Sequence, residues 1–309
     1  MESRCVFRGR GAWLGPLLAA GALGPAACGG QDAAVADDKV VQSSSALTGY
    51  TVVTAESAVD TINFRQLIVA CPAGTRALGA GWGVLDAGST IAPGLATYFA
   101  PSWDGTSWMA NAKSLAPYGT AWKLRVTLLC GSSTLAGYEL VTAETAVDTV
   151  TGKQVSATCP TGKVATGAGF GVLDSTGGIL DGEASQFVPS FDGTGWLTSA
   201  HNNSGFEPSW KLKSFLACVN STALPGYQVV TANTVASTLP SQQLSVSCPA
   251  GKHATGAGWT VVDSTGGTLD GDALFFLPAF DGASWLANAQ NNSTFAPTWI
   301  LRVVELCTS

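Results

Sequence analysis

The chain has 309 residues, 46% apolar and only 12% charged, with 37 glycines and a net charge of −6. Apolar content this high excludes a globally disordered chain, and low charge with abundant Gly, Ser and Thr is the composition of exported β-rich proteins. The lysines and arginines are scattered with no basic run, which excludes a nucleic-acid partner, since such a partner needs a phosphate-neutralising surface.

In chain order, residues 1–27 read as an export signal. Arg4, Arg8 and Arg10 precede a short apolar run, 11–24, that includes Trp13, Leu14, Leu17 and Leu18. The run falls short of the ~20 residues of a membrane helix. It ends in Pro25-Ala26-Ala27-Cys28-Gly29-Gly30, and small residues before a cysteine resemble the lipobox of bacterial lipoproteins. That resemblance implies a lipid on Cys28, with Gly29 behind it directing the protein to the outer membrane or cell surface. Pro25 stands where that family has Leu, so plain cleavage after Ala27 stays open. Residues 28–47 are small, polar and aperiodic, the pattern of a flexible tether.

The rest of the chain is three copies of one unit, 48–135, 136–224 and 225–309. Each opens on Gly-Tyr (Tyr50, Tyr138, Tyr227) and continues to Cys-Pro-x-Gly (Cys71, Cys159, Cys248). A Gly-Ala-Gly triplet follows at 79–81, 167–169 and 256–258, then Asp-Gly at 104, 192 and 281. Two tryptophans keep register (108 and 122, 196 and 210, 285 and 299) before a closing Cys130, Cys218 or Cys307. Within a copy the apolar alternation has period two: Leu67, Val69 and Cys71 share one face, and Trp122, Leu124, Val126, Leu128 and Cys130 another.

In an oxidising compartment the six cysteines pair most simply within copies, Cys71–Cys130, Cys159–Cys218 and Cys248–Cys307, each bond contributing about 4 kcal/mol on a chain-entropy model. Two cysteines per copy with no nearby His make a poor zinc site. The glycines at 79, 81 and 83 form a bare face, over which a ring such as Trp108 or Trp122 is expected to lie. The Asp-Gly pairs predict hairpin turns with positive φ at Gly.

The fold expected is therefore all-β: three tandem disulfide-closed small β-sandwich or open-barrel modules of about six strands each. The alternative is a pseudo-threefold β-prism. The repeat phrases resemble modules of exported soil-bacterial proteins, a group without an assigned activity, and this resemblance implies fold and export but no site residues. They also resemble, more weakly, the three-repeat β-prism proteins of the eggshell-membrane type. Those repeats are shorter, which favours separate beads over a shared threefold core.

No enzyme active site is visible. His201 aligns with Lys113 and Gln290, His253 with Arg76 and Val164, and neither recurs or sits in a motif. There is no nucleophile elbow, phosphate loop or HExxH. The carboxylates of copies two and three, Asp174, Asp181 and Glu183 with Asp263, Asp270 and Asp272, lie on Gly-rich loops. They read as turn residues, as Ca²⁺ ligands or, least well, as a hydrolytic pair; no other cofactor is implied. Copy one has Pro93 and Leu95 at the later positions.

Recurrent aromatics read mainly as core. The positions Trp82/Phe170/Trp259 and Trp103/Phe191/Phe280 are aromatic in every copy. An exposed ring beside Asp and Asn is also how sugar rings are gripped, which makes Asp174, Asp181, Asp263, Asp270, Phe191, Phe280, Asn202 and Asn291 the candidate ligand residues. The expectation is a surface-anchored, non-enzymatic binding or adhesion protein with polysaccharide as ligand. The alternative is a structural envelope or coat protein that contacts other envelope proteins. Membrane contact is through a lipid anchor only.

Overall fold

The computed structural model describes residues 41–42, 47–205, 208–293 and 297–309. The signal segment, Cys28 and most of the tether lie outside these residues. In module one the strands are β1 (Val41–Gln42), β2 (Thr51–Glu56), β3 (Phe64–Ala70), β4 (Thr75–Asp86), β5 (Ile91–Ala92), β6 (Gly94–Pro101), β7 (Ser107–Ser114) and β8 (Trp122–Ser132). Module two has β9 (Glu139–Glu144), β10 (Gly152–Thr158), β11 (Lys163–Asp174), β12 (Gly182–Pro189), β13 (Gly195–Asn202) and β14 (Trp210–Asn220). Module three repeats them as β15 (Gln228–Asn233), β16 (Ser241–Ser247), β17 (His253–Asp263), β18 (Gly271–Pro278), β19 (Ser284–Asn291) and β20 (Trp299–Thr308). Among the described residues the one helical piece is a single 3₁₀ turn, Ser221–Ala223.

Each module is two three-stranded layers, β2-β8-β4 and β3-β7-β6 in module one, packed together and joined by the Cys71–Cys130 bond. Cys159–Cys218 and Cys248–Cys307 do the same in the other two. The period-two pattern sets the layers' inner faces. Along β8, Trp122, Leu124, Val126, Leu128 and Cys130 are all buried. The Asp-Gly turns form the expected hairpins, with φ of +67°, +69° and +66° at Gly105, Gly193 and Gly282. The tether's end is part of the fold: Leu47 is buried, and β1 pairs with β2.

The modules are disulfide-closed as expected, but they are not separate beads. Each sheet is built from two modules. One sheet reads β3-β7-β6-β11-β14-β9, a second β10-β13-β12-β17-β20-β15, and the third, completed by β1 and β5, β2-β8-β4-β18-β19-β16. The seams are short and equivalent, Phe170 opposite Phe99, Trp259 opposite Phe187, and Trp82 opposite Phe276. Module three thus pairs back onto module one, closing the set about a pseudo-threefold axis. Trp82, Phe99, Phe170, Phe187, Trp259 and Phe276 are buried there around a gap of about 10 Å³, no larger than one water.

The glycine triplets make this closure sterically feasible, and here the structure corrects the expectation of a covering tryptophan. Each long strand bulges just before its first triplet glycine, at Leu78, Thr166 and Thr255. The bulge carbonyl of one module abuts the first glycine of the next: Leu78 against Gly167, Thr166 against Gly256, Thr255 against Gly79. A Cβ at any of the three would overlap backbone. The second glycine likewise meets a neighbouring strand's backbone, Gly81 against Phe276 and Leu277. Two residues past its triplet, Gly171 lies under a ring, that of Tyr98 from module one. Trp108 instead packs on Phe99 at 5.2 Å within its own module.

The opening Gly-Tyr phrase is an intermodule latch. Tyr138 Oη donates to Ala77 O at 2.9 Å, Tyr227 to Ala165 O at 2.8 Å, and Tyr50 to Ala254 O at 2.8 Å, so each module's tyrosine enters its cyclic neighbour. The sockets are Gly105, Gly193 and Gly282, where a side chain would collide with the tyrosine ring.

Candidate functional site

Two of the composite sheets carry a groove at the module seam, one bordered by Trp103 and the other by Phe191, the aromatic position before the Asp-Gly turn. Trp103, Phe191 and Phe280 are 76%, 72% and 50% exposed, whereas the other recurrent aromatics are buried. Burial fits the core reading for Trp82, Phe170, Trp259 and the six register tryptophans. The turn that holds each exposed ring is rigid. Asp104 Oδ1 accepts Ser102 Oγ at 2.6 Å and Thr106 N at 3.0 Å, and Asp192 accepts Ser190 Oγ and Thr194 N equivalently. These hydroxyl and amide donors hold both carboxyls down to about 2, so they are ionised at neutral pH.

The groove between modules one and two encloses 380 Å³ and includes Tyr98, Trp103, Met109, Lys211, Lys213 and Phe215. Lys213 Nζ lies 5.2 Å from the Trp103 ring centre. The groove between modules two and three encloses 460 Å³ and includes Gln186, Phe191, Asp192, Thr194, Thr260 and Arg302. On the third sheet Arg125 sits 5.5 Å over Phe280. A cation five residues before the closing cysteine, contributed by the neighbouring module, thus lies over Trp103 and Phe280 and shares a groove with Phe191. Sequence reasoning missed this position. Its signal was available, since Arg125, Lys213 and Arg302 keep register in a chain poor in charge.

The candidate ligand and metal residues divide between two places. Asp174 and Asp263 are turn residues. Asp174 Oδ1 accepts Thr176 Oγ1 and N, both at 2.7 Å, and Gly178 N at 2.8 Å, and Asp263 repeats this with Thr265 and Gly267. These donors lower both carboxyls, the threonine hydroxyl most. Their loops border the grooves through Gly177 and Gly266. Phe191 borders a groove as well, and Phe280 lies beneath Arg125.

Asp181, Glu183, Asp270, Asp272, Asn202 and Asn291 instead lie at the opposite end of the β12–β13 and β18–β19 hairpins from the exposed rings. There they join modules: Asp181 pairs with Lys113 at 2.6 Å and Asp270 with His201 at 3.2 Å. Asp272 accepts Asn292 Nδ2 at 2.6 Å, and Glu183 accepts Asn203 Nδ2. Burial raises the carboxyls of Glu183 and Asp272. Asn202 and Asn291 cap their own turns, accepting the amides of Ser204 and Ser293.

The metal set does not converge. Among the described residues one group of three potential ligands comes within 4.8 Å, Cys248, Glu305 and Cys307, and its cysteines form a disulfide. No three carboxylates of the acidic loops meet that distance. Copy one contributes as the others do, supplying Trp103 to a groove and Arg125 over Phe280.

The sequence matches no protein-family model and no curated protein. The three disulfides mark an oxidising, extracytoplasmic setting, and no described helix is long and apolar enough to cross a membrane.

Proposed function

We propose that the protein is a non-enzymatic, surface-anchored binding or adhesion lipoprotein whose ligand is a polysaccharide, held at the sheet grooves. The observation that carries this reading is the repetition of an exposed ring before each Asp-Gly turn, with Trp103 and Phe191 each bordering a groove at a module seam. A flat aromatic face stacks on a sugar ring, and flanking hydroxyls, amides and a guanidinium bind its oxygens. Such sites on one rigid body gain avidity along a repeating polymer from individually weak contacts. Lipidation at Cys28 and a tether to about residue 47 would display the grooves away from the envelope, consistent with the resemblance to exported soil-bacterial modules. The carboxylates support no hydrolytic role: Asp174 and Asp263 are spent on their own turns, and Asp181 and Asp270 on intermodule pairs.

The test is a polysaccharide panel on the oxidised protein lacking its signal segment, alongside Trp103→Ala, Phe191→Ala and Phe280→Ala. Binding that each substitution weakens, with the triple variant silent, is the expected result. A panel with no binder would overturn the reading and leave a structural coat protein, which the closed ring also suits.

A further inference from the structure

The three register cations, Arg125, Lys213 and Arg302, differ in how they are paired, and two positions of module three make the difference. On the edge strand beside each groove cation, position 56/144/233 lies directly opposite it in register: Glu56 faces Arg125, Glu144 faces Lys213, and Asn233 faces Arg302. In modules one and two the glutamate neutralises its neighbour. Glu56 accepts Arg125 Nε at 2.8 Å and also pairs with Lys123, and Glu144 lies 3.7 Å from Lys213 and 3.3 Å from Lys211. In module three the second cation is replaced by Ile300, and the carboxylate by an amide. Arg302 Nε donates to Asn233 Oδ1 at 3.0 Å, and among the described residues no carboxylate lies within 4.0 Å of its guanidinium. Its Nη hydrogens have no protein acceptor among those residues either.

We infer that the groove of modules two and three takes a carboxylate-bearing sugar chain of the polyuronate class, with Arg302 receiving the carboxylate and Phe191 stacking the ring. This rests on the polysaccharide reading above. An unneutralised guanidinium with both terminal nitrogens free is a fork for bidentate carboxylate recognition. Phe191, 72% exposed, borders the same 460 Å³ space, and Gln186, Thr194 and Thr260 bring amide and hydroxyl groups suited to sugar oxygens. Asp192, ionised beside Phe191, repels a carboxylate from that end and so orients the chain with its acid toward Arg302.

The experiment is calorimetric titration of the oxidised protein with oligogalacturonate, a neutral β-glucan oligomer and a sulfated dextran, at low and high salt. Arg302→Gln is expected to weaken oligogalacturonate binding about tenfold, and Asn233→Glu, which restores the counter-ion of the other modules, to do the same. Both should leave the unfolding midpoint unchanged and weaken oligogalacturonate far more than the neutral glucan, and high salt should weaken only the acidic ligand. Equal oligogalacturonate affinity in wild type and both variants overturns the inference. So does sulfated dextran that binds as tightly with the same dependence on Arg302, which makes the groove a general anion site. Glucan binding that depends on Phe191, without any Arg302-dependent uronate binding, refutes the inference while the polysaccharide reading stands. Binding of none of the three removes both.

Discussion

Glu305 is a fully buried carboxyl group in the third module's core, and replacing it with leucine is expected to stabilise the protein by an amount that depends on pH. The equivalent residues, Leu128 and Leu216, are equally buried, so the fold already accommodates leucine at this position twice. Neither oxygen of Glu305 has a hydrogen-bond partner, and burial pushes its carboxyl from an ordinary 4.5 to about 9. The folded protein therefore holds a proton at neutral pH that the unfolded chain releases. Because the folded value is raised, stability is complete below about pH 4.5 and falls as pH rises toward about 9. At ~1.4 kcal/mol per pH unit, the loss by pH 7 is about 3 kcal/mol. An unpaired buried hydroxyl adds about 1–3 kcal/mol at every pH. Urea unfolding of oxidised wild type, Glu305→Leu and Glu305→Gln at pH 5, 7 and 8 reads both parts. The leucine variant should gain the polar cost, about 1–3 kcal/mol, with little added at pH 5 and progressively more at pH 7 and 8, and glutamine should remove the pH slope while keeping the polar cost. A wild-type-to-leucine difference that stays constant across this range would refute the argument.

Three further outcomes follow from the fold. Gly167→Ala drives a methyl into the Leu78 carbonyl and the Gly79 backbone, neither of which can swing aside. It should cost about 3 kcal/mol or more in thermal unfolding, while Gly205→Ala, with nothing near its Cβ position, should cost little. Tyr227→Phe removes the donor to Ala165 O inside the latch, and a loss of about 1–3 kcal/mol by urea titration is expected, with no change in the disulfides. Chelation, or millimolar Ca²⁺, should leave the unfolding midpoint and glycan binding unchanged, because Asp174 and Asp263 are saturated by their own loops. A midpoint that rises with Ca²⁺ would contradict that.

Much of this architecture was legible in the residues. Cysteine spacing gave the three staples, alternation along 122–130 gave the inner faces, and Asp-Gly gave the hairpins with their positive φ. The sheet composition was not legible. β6 and β11 carry the same period-two pattern as strands that pair within a module, and a seam of two residue pairs leaves no mark of its own in the sequence. The latch was visible only as an unexplained Gly-Tyr phrase, since its sockets lie in another copy. The site was half legible. The ring position was found, but Asp181 and Asp270 looked like ligands because their partners, Lys113 and His201, align with each other rather than with anything acidic. The groove cations were overlooked because the lysines and arginines read only as scattered charges with no basic run, and their aromatic neighbours lie in another module.

The cyclic latch has a consequence for how many modules such a protein can contain. Every module offers one plug, its tyrosine, and one socket, its Asp-Gly turn, and these contacts run head to tail around a closed ring. Two modules would leave a plug and a socket unsatisfied, along with two bare half-sheet edges, and a fourth would not fit around three touching glycines. Three is thus a stoichiometry fixed by closure. A lone module, such as residues 136–224, carries everything needed to meet two identical copies, so freed from its neighbours it should assemble as a homotrimer. Divergence of the fused copies then becomes useful: once the three are on one chain, each cation can change its pairing without altering the other two, as Asn233 has done opposite Arg302.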